Sequence, residues 1–159
     1  MPKLLIMSDS HRNISRMLYA AEKTKPDAII HLGDHITDAS ELSRLYSDAI
    51  YYMVKGNCDP GAGKNEMLLE FGGVNVYVTH GHIFSVKRGL DALIGEALRK
   101  GASLAVYGHT HKPQIVQTPG LWLMNPGQME RHDSNRPASY GIVTIENGSF
   151  ECGIEYLPL

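Results

Sequence analysis

The sequence predicts an α/β fold in which two mixed β-sheets pack face to face and helices cover their outer sides. A β-α-β-α-β opening occupies the first 54 residues and is typical of a parallel sheet. About 11 strands are predicted for three helices, too many strands for one small sheet with helices on both faces. A length of 159 residues favours a single domain, here 1–159, with a sizeable core.

The opening alternates short apolar runs with amphipathic segments. One helix is predicted over 13–24, with Asn13 as its N-cap, and a second over 38–47, where Leu42 and Leu45 recur at helical spacing. Each intervening apolar run is short and stops at polar or glycine residues, as buried strands do. These strands are predicted at 3–8, 28–32 and 49–54.

The remainder of the chain is dominated by strands. Gly72-Gly73 and Asn147-Gly148 are two-residue hairpin signals. One helix is predicted over about 86–99, with Gly101 as its stop. The strands are predicted at 67–71, 74–79, 104–107, 114–117, 121–124, 140–146 and 150–156.

The polar loop over 126–139 is long enough to suggest a functional segment. Arg131 and His132 within it are expected to be solvated surface residues, with a substrate-facing lid as the alternative.

Composition excludes several classes of protein. With 43% hydrophobic and 20% charged residues, the chain is typical of a soluble globular protein. The net charge of −2 and the lack of a long basic run do not indicate a nucleic-acid partner. No apolar stretch approaches the ~20 residues of a membrane span.

The two cysteines, Cys58 and Cys152, are too few for a disulfide framework, and no signal peptide is evident, so we expect a cytoplasmic protein. The apolar ending 156–159 leaves a homo-oligomer open as an option.

Five predicted strands end in clusters of Asp, Asn or His beside Gly or Ser. Because ligand sites in α/β sheets lie outside the carboxyl ends of strands, we expect these clusters to form one site. Their side chains are those that bind divalent transition metals. The set is too large for one ordinary four-ligand ion and suits two ions that share a carboxylate. The seven residues that fit best are Asp9, His11, Asp34, Asn57, His80, His109 and His111.

The mixture of ligands indicates the metal and the substrate. Carboxylate, imidazole and amide suit Mn²⁺, Fe, Ni²⁺ or Zn²⁺ better than Ca²⁺ or Cu⁺. Two carboxylates (−2) facing two divalent ions (+4) leave a formal +2, about +1 with a bridging hydroxide, which attracts a phosphate ester. The hypothesis is a metal-dependent phosphoesterase that acts on a small phosphate ester, with a hydroxide held by two ions attacking phosphorus.

These motifs resemble the signature of the calcineurin-like metallophosphoesterases, D-x-H, G-D, G-N-x-[D/E], H and G-H-x-H, over residues 9–111. Asn125-Pro126-Gly127 and the segment 137–141 are similar to its small prokaryotic phosphodiesterase branch, the YfcE-like proteins. The resemblance implies a four-layer α-β-β-α sandwich and a two-metal site, often with manganese. It also implies that Asp9, His11 and His111 hold one ion, that Asn57, His80 and His109 hold the other, and that Asp34 bridges them.

Two positions depart from the family pattern. Many members have a His after the Asn that acts on the leaving group or the phosphate, whereas this chain has Cys58, a poor acid with an ordinary pKa near ~8.5. His82, two residues from His80, is therefore the candidate acid. Gln128 replaces a Ser that is common in the small branch.

The expected catalytic residues are Asn57, His82 and Asp34, and the expected substrate contacts are Asn57, His82 and Cys58. Cys58 itself is expected to be a small, buried side chain near the metals. His31 is expected to be a hydrogen-bonded core histidine, and Asp59 to hold the loop that presents Asn57.

Phosphodiester hydrolysis is the leading hypothesis. The same site would also serve a phosphomonoesterase or a nucleotide pyrophosphatase. A non-catalytic protein-binding scaffold of the same fold is the alternative from another class, and hydrolysis of a non-phosphorus bond is a further one.

Overall fold

The computed structural model describes residues 2–158, which form three α-helices and ten strands. The ten strands lie at the ten predicted positions, so the estimate of about 11 strands was one too high. The helices are α1 (Ile14–Thr24), α2 (Thr37–Leu45) and α3 (Asp91–Arg99). The strands are β1 (Lys3–Met7), β2 (Ala28–His31), β3 (Ile50–Met53), β4 (Glu66–Phe71), β5 (Val74–Thr79), β6 (Leu104–Val106), β7 (Gln114–Thr118), β8 (Leu121–Asn125), β9 (Ser139–Glu146) and β10 (Ser149–Tyr156).

The strands form two mixed five-stranded sheets. The first has the order β10-β9-β1-β2-β3, with β1, β2 and β3 parallel, β9 antiparallel to β1, and β10 antiparallel to β9. The second has the order β4-β5-β6-β8-β7, with β5, β6 and β8 parallel and both edge strands antiparallel. This confirms the predicted fold class.

Side-chain alternation along the strands builds the layers. In β1, Leu4 and Ile6 face the second sheet, whereas Leu5 and Met7 pack with residues of α1 and α2. On the outer side of the second sheet, α3 contributes Leu93 to a third buried cluster. The result is a four-layer sandwich with its main core between the sheets.

Most predicted elements agree with the structure to within one or two residues, but α3 begins five residues late. A short 3₁₀ helix (His82–Phe84) follows β5, and Ser85 has a left-handed backbone with φ of 52°, so an α-helix cannot begin there. Val86 still packs in the same buried cluster as α3, which explains why the apolar periodicity predicted an earlier start for the helix.

Asn13 precedes α1 as predicted but does not cap it through its side chain. Its amide donates instead to the carbonyls of Ser10 and Glu130.

Part of the apolar C-terminal segment packs on its own chain. Leu157 is buried, and its N–H donates to the carbonyl of Ala138, whereas Tyr156 is half exposed. Leu159 lies outside the described residues. Within residues 2–158, the helices are too short and polar to cross a bilayer.

Gly141 of β9 tests the packing between the sheets. A Cβ at this position would overlap Met124 Sδ of the facing sheet and lie 3.4 Å from Ile6 Cβ. We expect Gly141→Ala to lower the free energy of unfolding by about 1–3 kcal/mol, the usual cost of overpacking. Gly153→Ala on β10 is the matched control, because nothing lies within 4 Å of its added Cβ. Equal urea midpoints for the two variants would contradict this account of the core.

Candidate metal centre

The carboxyl ends of β1, β2, β3, β5 and β6 meet at one edge of the sandwich. Backbone hydrogen bonds tie neighbouring loops together there: the Asp9 N–H donates to the Gly33 carbonyl at 3.0 Å, and the Gly108 N–H to the His80 carbonyl at 2.8 Å. The structure brings the seven predicted ligands together at this edge, although they span 103 positions from Asp9 to His111.

Four of the seven form one compact group. One ligand atom from each of Asp9, His11, Asp34 and His111 lies within 4.8 Å of the others. His111 Nε2 donates to Asp9 Oδ1 at 3.1 Å. This group contains the three residues expected at the first ion together with the expected bridge.

The remaining three predicted ligands form a second group beside the two carboxylates. His80 Nε2 is 3.1 Å from Asn57 Oδ1 and 3.7 Å from Asp34 Oδ2. The ring of His109 stacks edge-on against that of His80, with centroids 5.1 Å apart. Asp34 is therefore close to members of both groups.

The tautomer of His80 shows that this arrangement fits a cation. Its Nδ1 lies 2.7 Å from the Leu32 carbonyl, which can only accept, so Nδ1 carries the proton. In the neutral ring that a metal ligand requires, Nε2 then directs a lone pair towards three acceptor oxygens, those of Asn57, Asp34 and Asp9, whereas in a protonated ring the Nε2 proton faces these oxygens. Converging acceptors repel one another unless a cation lies among them, and a hydrogen bond from the far nitrogen to a carbonyl is typical of metal-binding histidines.

Five of the seven ligands have left-handed backbones. Such conformations are uncommon for residues other than Gly and cluster at functional sites. The five are Asp9 (φ 53°), His11 (42°), Asp34 (61°), His109 (71°) and His111 (65°).

Glycines allow the ligand loops to approach each other. A Cβ on Gly56 would overlap the carboxylate of Asp34, and one on Gly108 would overlap Ser8 Oγ and lie 3.1 Å from Asp9 Oδ2. Each of these glycines directly precedes a predicted ligand, Asn57 or His109. The structure adds that neighbouring loops occupy the space of the missing side chains.

Asp59 holds the loop that presents Asn57, as predicted, and it also holds the loop after β2, which was not predicted. Its carboxylate accepts hydrogen bonds of 2.7–3.0 Å from the N–H groups of Asp34, His35, Ile36 and Gly56. Burial opposes ionisation, but these four donors lower the pKa of Asp59. The loop after β2 and the loop that presents Asn57 are therefore anchored to one charged group.

A buried chain of hydrogen bonds holds the loop of Asp9 and His11. The Gly33 N–H donates to His31 Nδ1, so Nε2 of the neutral ring donates to Ser10 Oγ, and Ser10 donates to Asp38 Oδ2 at 2.6 Å. This confirms His31 as a bonded core histidine. Its partners Ser10 and Asp38 were missed, because neither has a sequence signal beyond its residue type.

Asn125 supports the loop of His109 and His111. Its side-chain amide donates to the Gly108 carbonyl and to Thr110 Oγ1, and its oxygen accepts the Gly127 N–H. The Asn-Pro-Gly motif thus braces ligands that precede it by about 15 residues.

The electrostatic surroundings favour an ionised Asp9 and a neutral His109, the forms that bind metals, but they favour the protonated form of His111. Burial opposes the charge on Asp9, yet the hydrogen bonds from His111 and Ser8 and the charge of His80 keep its pKa well below the ordinary value. Burial lowers the pKa of His109 to about 4, whereas the hydrogen bond to Asp9 raises the pKa of His111.

His82 and Cys58 both lie at the edge of this cluster. The His82 ring is 5.4 Å from that of His80, and within residues 2–158 its buried Nδ1 has no hydrogen-bond partner. Burial and the charge of His80 lower the pKa of His82.

The prediction that Cys58 is buried was wrong: its thiol is exposed, because the residue sits at the tip of the loop after β3. Its N–H donates to Asp34 Oδ1 at 2.9 Å, and burial and the charge of Asp34 raise the pKa of the thiol.

Two further residues near the centre had not been singled out as site residues. Glu130 Oε2 lies 3.8 Å from His11 Nε2, and the His35 ring lies 4.7 Å from that of His11. Glu130 belongs to the long loop after β8, whose length was the only signal that could have indicated it.

Comparison with known proteins agrees with this geometry. The family profile of the calcineurin-like phosphoesterase superfamily domain matches residues 3–148, so the chain belongs to that superfamily. It is 36% identical over 148 residues to the probable metallophosphoesterase YsnB of Bacillus subtilis (strain 168), covering 91% of this chain and 85% of that protein.

Two other relatives extend the comparison. The phosphodiesterase YfcE of Escherichia coli (strain K12) is 27% identical over 172 residues, covering 90% of this chain and 88% of that protein. A crystal structure of a predicted phosphoesterase from Streptococcus pneumoniae TIGR4 superposes with a TM-score of 0.82 at 27% identity, covering 98% of this chain and 89% of that one.

His31 makes the stability of the metal-free protein depend on pH. Burial lowers its pKa from 6.5 to about 4, so at pH values between these two the unfolded chain binds a proton that the folded chain does not. We expect this residue to reduce the free energy of unfolding by about 3 kcal/mol as the pH falls from 6.5 to 4, and to have no such effect above 6.5. Urea unfolding at several pH values should show that the free energy of unfolding of His31→Gln falls by about 3 kcal/mol less than that of the wild type between pH 6.5 and 4. Equal decreases for the variant and the wild type would contradict the assignment.

Proposed function

We propose that this chain is a phosphodiesterase that works with two divalent cations. The observation that carries the proposal is the convergence of acceptor atoms on His80 Nε2 beside two buried carboxylates. The proposed ligands are Asp9, His11 and His111 for one cation, Asn57, His80 and His109 for the other, and Asp34 for both. The phosphodiesterase YfcE supports the choice of a diester substrate.

The charge of the centre supports a phosphate ester as substrate. Asp9 and Asp34 contribute −2, which two divalent cations would convert to +2. When bound, such cations supply a nucleophile by acidifying a water and stabilise the charge on the phosphate oxygens. The protein's own contribution is to fix the ligands, through Asp59 and through the chain of His31, Ser10 and Asp38.

The donor set of carboxylates, imidazoles and one amide suits Mn²⁺, Ni²⁺, Fe and Zn²⁺. Among these, Mn²⁺ is the proposed ion because of the resemblance to the small prokaryotic phosphodiesterase branch. The free thiols Cys58 and Cys152 are compatible with a reducing cytosol as the place of action.

We assign substrate contact to Asn57, His82 and Cys58, which lie beside the centre. The thiol of Cys58 keeps its proton at neutral pH because its pKa is raised, so it cannot act as an anion there. Since His82 Nδ1 is buried, Nε2 is the nitrogen that can transfer a proton to the leaving-group oxygen. The lowered pKa of His82 makes its protonated form scarce at pH 7, so its contribution to the rate should increase towards lower pH.

Metal removal tests the proposal. Chelation followed by dialysis should abolish hydrolysis of bis(p-nitrophenyl) phosphate, and added Mn²⁺ should restore it. Calorimetric titration should show two Mn²⁺ per wild-type chain, with binding at least about tenfold weaker in Asp34→Asn because the shared ligand loses its charge. Asp48→Asn, at an exposed site, is the control. Abundant activity in thoroughly metal-free protein would refute the proposal.

A substrate panel separates the related activities. Hydrolysis of bis(p-nitrophenyl) phosphate in preference to p-nitrophenyl phosphate and to a dinucleoside pyrophosphate supports a phosphodiesterase, and the reverse orders support a monoesterase or a pyrophosphatase. A protein-binding scaffold has no need of a complete ligand set. Failure of the metal-loaded protein to hydrolyse any of the three would favour that alternative.

His82→Ala tests the assignment of the acid. An alkoxide leaving group needs a proton, so for an alkyl ester we expect the variant to lower kcat by about 10²–10⁴-fold. The p-nitrophenolate ion leaves without a proton, so for a p-nitrophenyl ester the decrease in kcat should be much smaller. Ile83→Ala, an exposed neighbour in the same 3₁₀ helix, is the control. An equal loss with both leaving groups, or no loss with either, would show that His82 is not the acid.

A further inference from the structure

A cavity opens beside the candidate metal centre. It has a volume of about 430 Å³, and its wall includes His111, residues 112 and 113, the loop after β8, and Tyr156. Clefts of this size suit a small molecule, and His111 is shared with the metal centre. A substrate held at the centre therefore has a way to extend into the cavity.

The wall of the cavity is cationic, although the whole chain has a net charge of −2. Lys112, Arg131 and Arg136 line it together with one carboxylate, that of Glu130, so the local balance is +3 and −1, or +2. Within residues 2–158, the three cationic groups have no carboxylate within 4.0 Å. Unpaired arginines that line one cleft are the usual recognition elements for phosphate.

Hydrogen bonds fix the backbone of the long loop after β8 (residues 126–138), which carries Arg131 and Arg136 and is called the arginine loop below. Gln128 accepts from the Arg131 N–H at 2.6 Å and donates to the Arg131 carbonyl at 3.0 Å. Asp133 Oδ1 accepts from the N–H groups of Asn135 and Arg136. Gln128, the departure from the common Ser, is thus the residue that holds Arg131 at the rim.

Both ends of the loop are also anchored to the rest of the protein. The guanidinium of Arg16 donates to the carbonyls of Met129 and Glu130, and His132 bonds to the Ala138 N–H and to the Pro158 carbonyl. His132 is therefore a brace, and not the solvated residue expected from the sequence. Arg131 is exposed as expected, but it lines the cavity.

We propose that this cavity binds a second anionic group of the substrate, so that the substrate is a phosphodiester with a further phosphate on one of its esterified groups. The inference rests on the proposed function, because it assumes that a phosphodiester occupies the metal centre. Arg131 and Arg136 are the specificity-determining residues, and Lys112 adds positive charge.

A pair of matched diesters tests the inference with the Mn²⁺-loaded protein in 0.15 M salt. The probes are p-nitrophenyl phenyl phosphate and p-nitrophenyl 4-phosphonophenyl phosphate, which differ only in a distal phosphonate. Both phenol products are quantified by chromatography, so that either orientation of the probe is detected. We expect the wild type to favour the phosphonate by at least about tenfold in kcat/KM, the effect of one charge-assisted contact.

The variant Arg131→Met/Arg136→Met should reduce this preference to about one. The readout is the ratio of the kcat/KM values for the two probes. A general loss of active protein lowers both values equally and leaves this ratio unchanged. Arg44→Met, at an exposed site on α2, should keep the wild-type preference. A wild-type ratio of one, or a tenfold ratio that survives in the double variant, overturns the inference, whereas no hydrolysis of either probe counts against the proposed function.

Direct binding tests the cavity independently of activity. Titration of the metal-free protein with phenylphosphonate, followed by the Nε–H resonances of arginine, should shift the signals of Arg131 and Arg136 saturably and leave that of Arg44 unmoved. Unmoved signals for the two loop arginines overturn the inference, whatever the outcome with the diesters.

Discussion

The burial of two carboxylates at one edge of the sandwich is the constraint on which the site depends. Asp9 and Asp34 are 0% and 3% exposed, and an uncompensated buried carboxylate costs several kcal/mol. Asp9 is compensated from both sheets, by Ser8 after β1 and by His111 after β6. The centre therefore forms only when the two sheets are packed against each other, so formation of the site depends on complete folding.

A second tier of hydrogen bonds makes the ligand loops rigid. The left-handed backbones of Asp9 and Asp34 are costly conformations, and each is secured by a carboxylate behind it, Asp38 through Ser10 for one and Asp59 for the other. The protein's own bonds thus set the ligand positions, which reduces the reorganisation that a cation must drive on binding.

Local patterns predicted most of the fold and the cluster of polar side chains at the edge of the sandwich. Strand periodicity and the polar residues at strand ends are properties of a few consecutive residues, so they are visible without tertiary information. The errors arise where side-chain periodicity does not reveal backbone conformation or exposure to solvent: the left-handed backbone of Ser85 delays α3, and Cys58 is exposed at a loop tip. The link from His31 through Ser10 to Asp38, which joins residues up to 28 positions apart, could not be read from spacing.

The two rims of the centre are built independently, and this separation suggests a division of labour. On one rim, Asn13 and Arg16 of the α1 region bind carbonyls of the arginine loop, so the loop of His11 and the cavity form one unit. On the other rim, His82 lies in the turn after β5 and Cys58 in the loop after β3. Under the proposed function, a diester lying across the centre has its distal group selected on the first rim and its leaving oxygen protonated on the second. Substitutions in the long loop are then expected to change selectivity without disturbing the residues proposed to position the cations or to transfer the proton.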